Sequence, residues 1–103
     1  MDIGGTTFTS ALFDSDFNQL DISMESYIKE YGSKTDLISG FTSQLKRLYS
    51  EHNISMDEII GLGISAPGPL DSRKGLILET PNLTMLQNTK LAGLMESELG
   101  IPV

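Results

Sequence analysis

Near its start the chain reads Asp2-Ile3-Gly4-Gly5-Thr6-Thr7, residue types and spacing that could do phosphate chemistry. Paired glycines open backbone conformations closed to other residues and let a phosphate approach the main chain. Successive N–H groups in such a turn form an anion-binding concavity, to which Thr6 and Thr7 add hydroxyl donors. Asp2 would repel a bare phosphate, so its expected partner is a divalent cation or the water around one. The second reading is a tight hairpin turn in which Gly-Gly serves geometry alone. A short glycine motif does not choose between them.

Two further loops carry hydrogen-bonding groups. Ala66-Pro67-Gly68-Pro69 follows a continuous apolar run, Ile59-Ile60-Gly61-Leu62-Gly63-Ile64-Ser65. That run reads as a strand buried on both faces, as in a parallel sheet covered by helices. Gly61 and Gly63 lie two apart on one face, where close packing is expected. Ligands of open α/β sheets bind beyond the carboxyl ends of strands, which is where Pro67-Gly68-Pro69 lies. Glu79-Thr80-Pro81-Asn82-Leu83 is the second such loop. Between them, Leu70 and Leu76-Ile77-Leu78 can pair as a short hairpin. Ordinary turn chemistry alone would explain both loops.

The elements that must position these loops are legible in the hydrophobic pattern. Residues 7–13 read as the second strand of a hairpin, and Asp14-Ser15-Asp16 with Asn18 supply turn chemistry. Residues 20–28 alternate, with Leu20, Ile22, Met24 and Ile28 on one face, as in a half-exposed antiparallel strand. Ser33 starts a helix with Asp36 three residues on, a variant of the capping box. Its apolar residues Leu37, Ile38, Phe41, Leu45, Leu48 and Tyr49 fall within an arc of roughly 120°, a core-facing stripe. The helix should end near His52-Asn53, where the single histidine has a helix-end role. Asn88 or Thr89 caps a shorter helix carrying Leu91, Leu94, Met95 and Leu99, with Gly100 as its terminator. The expected class is α/β.

Composition narrows the function. The 103 residues suit one domain or part of one, and 39% hydrophobic content supports a modest core. Fourteen acidic against seven basic residues give a formal charge of −7, which argues against a nucleic-acid surface. No cysteine is present, so disulfides and thiolate metal sites are excluded. No apolar run has the length of a membrane span and no signal peptide precedes the first motif, so a cytoplasmic chain is expected.

Taken together, the segments resemble the ROK family of sugar kinases and sugar-responsive repressors, within the actin-like ATPase superfamily and its ribonuclease-H-like fold. The resemblance rests on Asp2-Ile-Gly-Gly-Thr6, Gly61-Leu-Gly-Ile-Ser-Ala-Pro-Gly-Pro-Leu-Asp71, Gly75-Leu-Ile-Leu-Glu-Thr-Pro-Asn-Leu83 and Leu99-Gly-Ile-Pro-Val103, in that order. It implies an amino-terminal lobe over residues 1–103, incomplete without a second lobe, built on a mixed sheet of about five strands with flanking helices. Asp2, Gly4, Gly5, Thr6 and Thr7 would hold the β- and γ-phosphates of ATP with Mg²⁺, Asp2 meeting the metal through water. Gly68, Pro69 and Asn82 would line a sugar pocket.

The reaction implied is phosphoryl transfer to a hydroxyl of a hexose or N-acetylhexosamine, glucokinase-like. The alternative is the sugar-sensing domain of a ROK repressor. The catalytic carboxylate base and the zinc site of the family are expected beyond Val103, so the 103-residue chain itself is expected to be inactive. Expected partners are a sugar and ATP, with neither nucleic acid nor membrane, in a homo-oligomeric parent, commonly a dimer. Two departures from the family stand out: Leu86 where a Trp is common, and Thr7 where many relatives carry Lys.

Overall fold

The computed structural model describes residues 1–22 and 26–103, with the Ile22 side chain left out. Strand β1 (Asp2–Ile3) turns back into β2 (Thr7–Thr9), which is flanked on its other side by β5 (Ser26–Tyr27). Both pairings are antiparallel, with Asp2 opposite Thr9 and Thr7 opposite Tyr27. The chain then bends at Ser10, and β3 (Ala11–Phe13) pairs with β4 (Gln19–Ile22). The expected single strand over residues 7–13 is therefore broken in two.

Ser10 explains the bend. It is fully buried, and its hydroxyl donates to Gln44 Oε1 at 2.5 Å, while Gln44 Nε2 donates to Ser26 Oγ. A polar side chain in an apolar row is tolerated because it finds this partner on the helix.

Of the expected strand over 20–28, residues 20–22 belong to β4 and Ser26–Tyr27 form β5, with residues 23–25 outside the described residues. Ile28 is buried as expected, but Leu20 is 51% exposed, so the expected common face fails at that end. The adjacent Asp21 instead turns to the helix, where its Oδ2 lies 2.6 Å from His52 Nε2. Met24 and the Ile22 side chain lie outside the described residues.

Helix α1 (Lys34–Glu51) follows its sequence pattern closely. Ser33 Oγ accepts the Asp36 N–H at 3.1 Å, satisfying one of the unpaired amides of the first turn. Leu37, Ile38, Phe41, Leu45, Leu48 and Tyr49 are all buried, joined by Thr42. Phe8 of β2 meets Phe41 edge-on at 4.7 Å between ring centroids and Tyr31 at 5.8 Å. Such tilted aromatic contacts add to the area they bury. Asn53 ends the helix in a left-handed conformation (φ 53°), and His52 sits at the cap.

The apolar run 59–65 behaves differently from expectation. Ser65 N donates to Met1 O and Ile3 N to Ser65 O, a parallel ladder, while Leu62 N donates to Pro102 O on the other side. Strand-like bonding is thus present on both edges, but the segment is not buried on both faces. Leu62 and Ile64 are half-buried; Ile60 is 87% exposed. Nor does anything pack against Gly63, where an added Cβ would meet no atom, and Gly61 faces only Pro102.

Strands β6 (Leu70–Asp71) and β7 (Leu76–Ile77) form the expected hairpin, with Asp71 Oδ1 accepting the N–H groups of Arg73 and Lys74. Gly75, at φ 60°, lets the hairpin rest on α2 (Leu91–Leu99), where Ala92 donates its N–H to Gly75 O. Neither Asn88 nor Thr89 caps α2. Asn88 takes a left-handed conformation and donates its N–H to Leu78 O, Thr89 Oγ1 donates to Gln87 O, and Lys90 holds the cap position. Leu91, Met95 and Leu99 are buried, Leu94 is largely exposed, and Gly100 ends the helix at φ 69°. Among the described residues, the assigned strands form three small antiparallel sheets in a mixed α/β arrangement. Among the described residues, no helix is long and apolar enough to cross a membrane.

Candidate functional site

The turn between β1 and β2 is closed by a bond from Gly4 N to Thr7 O at 2.8 Å, leaving Gly5 and Thr6 as its exposed tip. Neither glycine uses a left-handed conformation; positive φ among the glycines occurs at Gly75 and Gly100. Their value here is space. A Cβ on Gly4 would press on Thr7 O at 3.3 Å, tighter than ordinary contact. A Cβ on Gly5 would lie 3.4 Å from the Asn82 Cβ. The Gly4-Gly5 turn and the Thr-Pro-Asn loop are therefore close neighbours, with room for little more than glycine between them.

Asn82 is held there by a compact brace. Thr80, almost wholly buried, donates its hydroxyl to Leu83 O, and Leu83 N donates back to Thr80 O at 2.9 Å. The buried Leu83 and Leu86 anchor the far side, so a leucine at position 86 fills core. Asn82 itself is exposed, with its amide free to face solvent or ligand.

Gly68 and Pro69 are also exposed and joined by a cis peptide bond. Pro69 O accepts the Leu78 N–H at 3.0 Å, which extends the β6–β7 pairing by one step. The two sugar-type loops thus leave adjacent ends of one hairpin, 66–69 before β6 and 79–83 after β7. Of the residues singled out in the sequence, Gly5 and Asn82 are brought close together, whereas Gly68 and Pro69 are tied to Asn82 through this hairpin.

Asp2 lies at the base of the turn, exposed, in register with Ser65 at the end of the apolar run. Among the described residues, no three carboxylates or imidazoles gather into a metal cluster. The donor set of one carboxylate with the Thr6 and Thr7 hydroxyls is all hard oxygen. It suits Mg²⁺, which keeps several waters and takes one or two carboxylates together with substrate phosphates.

Two positions escaped the sequence reading. Thr80 looked like one more loop residue, and only its burial shows it to be the brace. Ser10 broke the apolar alternation of 7–13, a signal that could have been read as a buried polar contact.

The chain matches the ROK family over residues 1–103. Among solved structures it is similar to a ROK hexokinase from Thermus thermophilus, with a TM-score of 0.79 and 27% identity over 99% of this chain and 32% of that one. It is also similar in fold to a ROK family glucokinase from Streptomyces griseus solved with glucose and AMPPNP, with a TM-score of 0.78 and 20% identity over 99% of this chain and 30% of that one. The chain spans about a third of the length of each. Among curated proteins, none matches its sequence. With the family matched from its first residue to its last, this chain belongs to the ROK family.

Proposed function

We propose that the chain is the phosphate-loop part of an ATP-dependent sugar kinase, acting on a hexose or N-acetylhexosamine. The observation that carries this reading is the close approach of Gly5 to Asn82, which sets a phosphate-type turn beside a sugar-type loop. Phosphoryl transfer asks chiefly for such positioning of donor and acceptor, with charge neutralised between them. The turn's N–H groups and the Thr6 and Thr7 hydroxyls would hold β- and γ-phosphate oxygens. Asp2 would orient the water shell of Mg²⁺, which supplies charge neutralisation when bound. Gly68 and Pro69 would approach the sugar with backbone, and Asn82 with its amide.

On this reading the lobe is ribonuclease-H-like. Its mixed sheet of about five strands would draw on β1 to β5 together with residues 62–65 and 101–103, a view supported by the ladder bonds from Ser65 and Leu62. The carboxylate base that takes the hydroxyl proton would come from outside residues 1–103, as would the zinc site and the adenosine pocket. The chain alone would then bind in part and turn nothing over.

The test is an amide-shift titration of the chain with MgATP and, separately, with glucose and N-acetylglucosamine. Nucleotide should move Gly4, Gly5, Thr6 and Thr7, and sugar should move Gly68 and Asn82. Silence at both loops at saturating ligand would sink the reading, and sugar-dependent ADP release by the chain would overturn its inactivity.

A further inference from the structure

Residues 3–9, which make the phosphate-type turn and the strands beside it, contain no lysine, arginine or histidine, and Asp2 adds a negative charge. A phosphate group seated there keeps net negative charge even with a divalent cation bound. Phosphoryl groups are ordinarily clamped by a lysine or arginine as well as a metal. A side-chain cation from another part of the chain is therefore required beside the turn.

The sheet shows where one sits. β5 (Ser26–Tyr27) lies along β2, with Ser26 opposite Phe8 and Tyr27 opposite Thr7. Phe8 and Ser26 face α1, where Phe8 meets Phe41 and the Ser26 hydroxyl accepts from Gln44. By the two-residue alternation of strands, Thr7 and Tyr27 face the opposite way. Asp2, in register with Thr9, faces that way too, while Ile3 is buried with Phe8. One face thus carries the Asp2 carboxylate, the Thr7 hydroxyl and the Tyr27 ring. Directly opposed side chains on a sheet lie about 5 Å apart at Cβ, so Thr7 and Tyr27 are neighbours.

Beyond Tyr27 the chain stays with the turn, because Ile28 donates its N–H to Thr6 O at 2.8 Å. Lys29 follows immediately and folds back, its Nζ 5.5 Å from the centroid of the Tyr27 ring. An aromatic face attracts an ammonium without neutralising its charge. Both side chains are exposed. Among the described residues no carboxylate pairs with Lys29, whereas Arg47 meets Glu51 and Lys74 lies 3.9 Å from Asp71.

We propose that Lys29 is a phosphate-binding residue, its ammonium held over Tyr27 and swinging past Thr7 to the outer oxygens of a phosphate group on the turn. The inference rests on the phosphate-loop reading of residues 2–7. The ring keeps a long, flexible side chain close to the site, which lowers the ordering lost on binding. The ammonium then supplies charge-assisted hydrogen bonds that the neutral Thr6 and Thr7 hydroxyls cannot. A lysine that merely covers the ring would leave phosphate binding unmoved.

The experiment titrates the 103-residue chain with magnesium pyrophosphate, following the amides of Gly4, Gly5, Thr6 and Thr7 together with the Tyr27 ring protons. The ring protons should shift in step with the turn amides as the ammonium leaves the ring. Lys29→Gln should weaken binding at least about tenfold, whereas Lys29→Arg, which keeps the charge, should stay within about threefold of the unaltered chain. Lys46→Gln, on the exposed face of α1, removes the same charge at a distance and should change affinity by less than about twofold. If the turn amides respond and Lys29→Gln binds as tightly as the unaltered chain, the role of Lys29 is overturned and the phosphate-loop reading stands. Equal weakening by Lys46→Gln reduces the effect to net charge and overturns it as well. Turn amides of the unaltered chain that stay silent at millimolar magnesium pyrophosphate sink both readings. Should Lys29→Gln fail to fold, the unaltered chain still decides, because a Tyr27 ring that ignores pyrophosphate while the turn responds overturns the proposal.

Discussion

Gly40, in the middle of α1, lies directly beneath the ring of Tyr31, so that a Cβ added there would fall 2.4 Å from the ring's Cε1. Helix interiors ordinarily gain about 1 kcal/mol when glycine becomes alanine. Here the ring blocks the gain, because Tyr31 is itself packed against Phe8. Gly40→Ala should destabilise the chain by about 1–2 kcal/mol net, the overpacking cost outweighing the propensity gain. Denaturant unfolding checks this. In a Tyr31→Ala background the same substitution should become neutral or stabilising, and a double-mutant cycle measures the coupling.

Thr80 offers a second test, on the loop that carries Asn82. Replacing it with valine keeps the volume and removes the hydroxyl that Leu83 O accepts. Leu83 O keeps the Leu86 N–H at 3.0 Å as a donor, so losing the hydroxyl bond should cost about 0.5–1.5 kcal/mol. Because the brace also sets Asn82 against Gly5, Thr80→Val should raise amide exchange at Asn82 and Leu83 above that of the β6–β7 hairpin, whereas Thr80→Ser should restore most of the protection.

Asp2 is exposed and makes no part of the core, so Asp2→Asn should alter stability by less than about 0.5 kcal/mol. If the carboxylate orients hydrated Mg²⁺, the effect appears in ligand response alone. Titration with magnesium pyrophosphate should shift the amides of Gly4 through Thr7 in the parent chain. In the variant, magnesium should no longer strengthen that response. An unchanged magnesium dependence would remove Asp2 from the site.

Acidity should act through the amino group of Met1. Burial pushes it below its ordinary value of 8.0, an effect that Asp2 opposes only partly. Folded chains then bind fewer protons than unfolded ones in the range just under 8.0. Stability should therefore rise with pH through that range and level off above it. Thermal melts between pH 6 and pH 9 test the direction, and acetylation of the amino group should flatten the dependence.

How much of this could be read in advance differs by element. Helix α1 was legible because a long 3.6-residue rhythm, a serine cap and a polar end all agreed. The β6–β7 hairpin and the Gly100 terminator followed from turn chemistry. What failed were faces and caps set by distant partners. Leu20 is exposed while the neighbouring Asp21 meets His52, and Asn88, in a left-handed conformation, bonds to Leu78 instead of capping the helix. The run 59–65 read as doubly buried because apolar content alone does not show which face is covered. For the candidate site, residue types were legible one loop at a time, and the resemblance supplied their order. The meeting of Gly5 with Asn82 was not legible, since it depends on how the hairpin folds back across the turn.

That hairpin gives the loops 66–69 and 79–83 a common stem. Pro69 and Leu78 are bonded across its open end, and Gly75 seats its tip on Ala92, where a Cβ would come within 2.3 Å. A tilt of the stem moves both loops together, as the tines of a fork share the angle of the handle. Moving one loop while leaving the other in place therefore requires a change inside that loop. A change in the seat at Gly75 moves both at once.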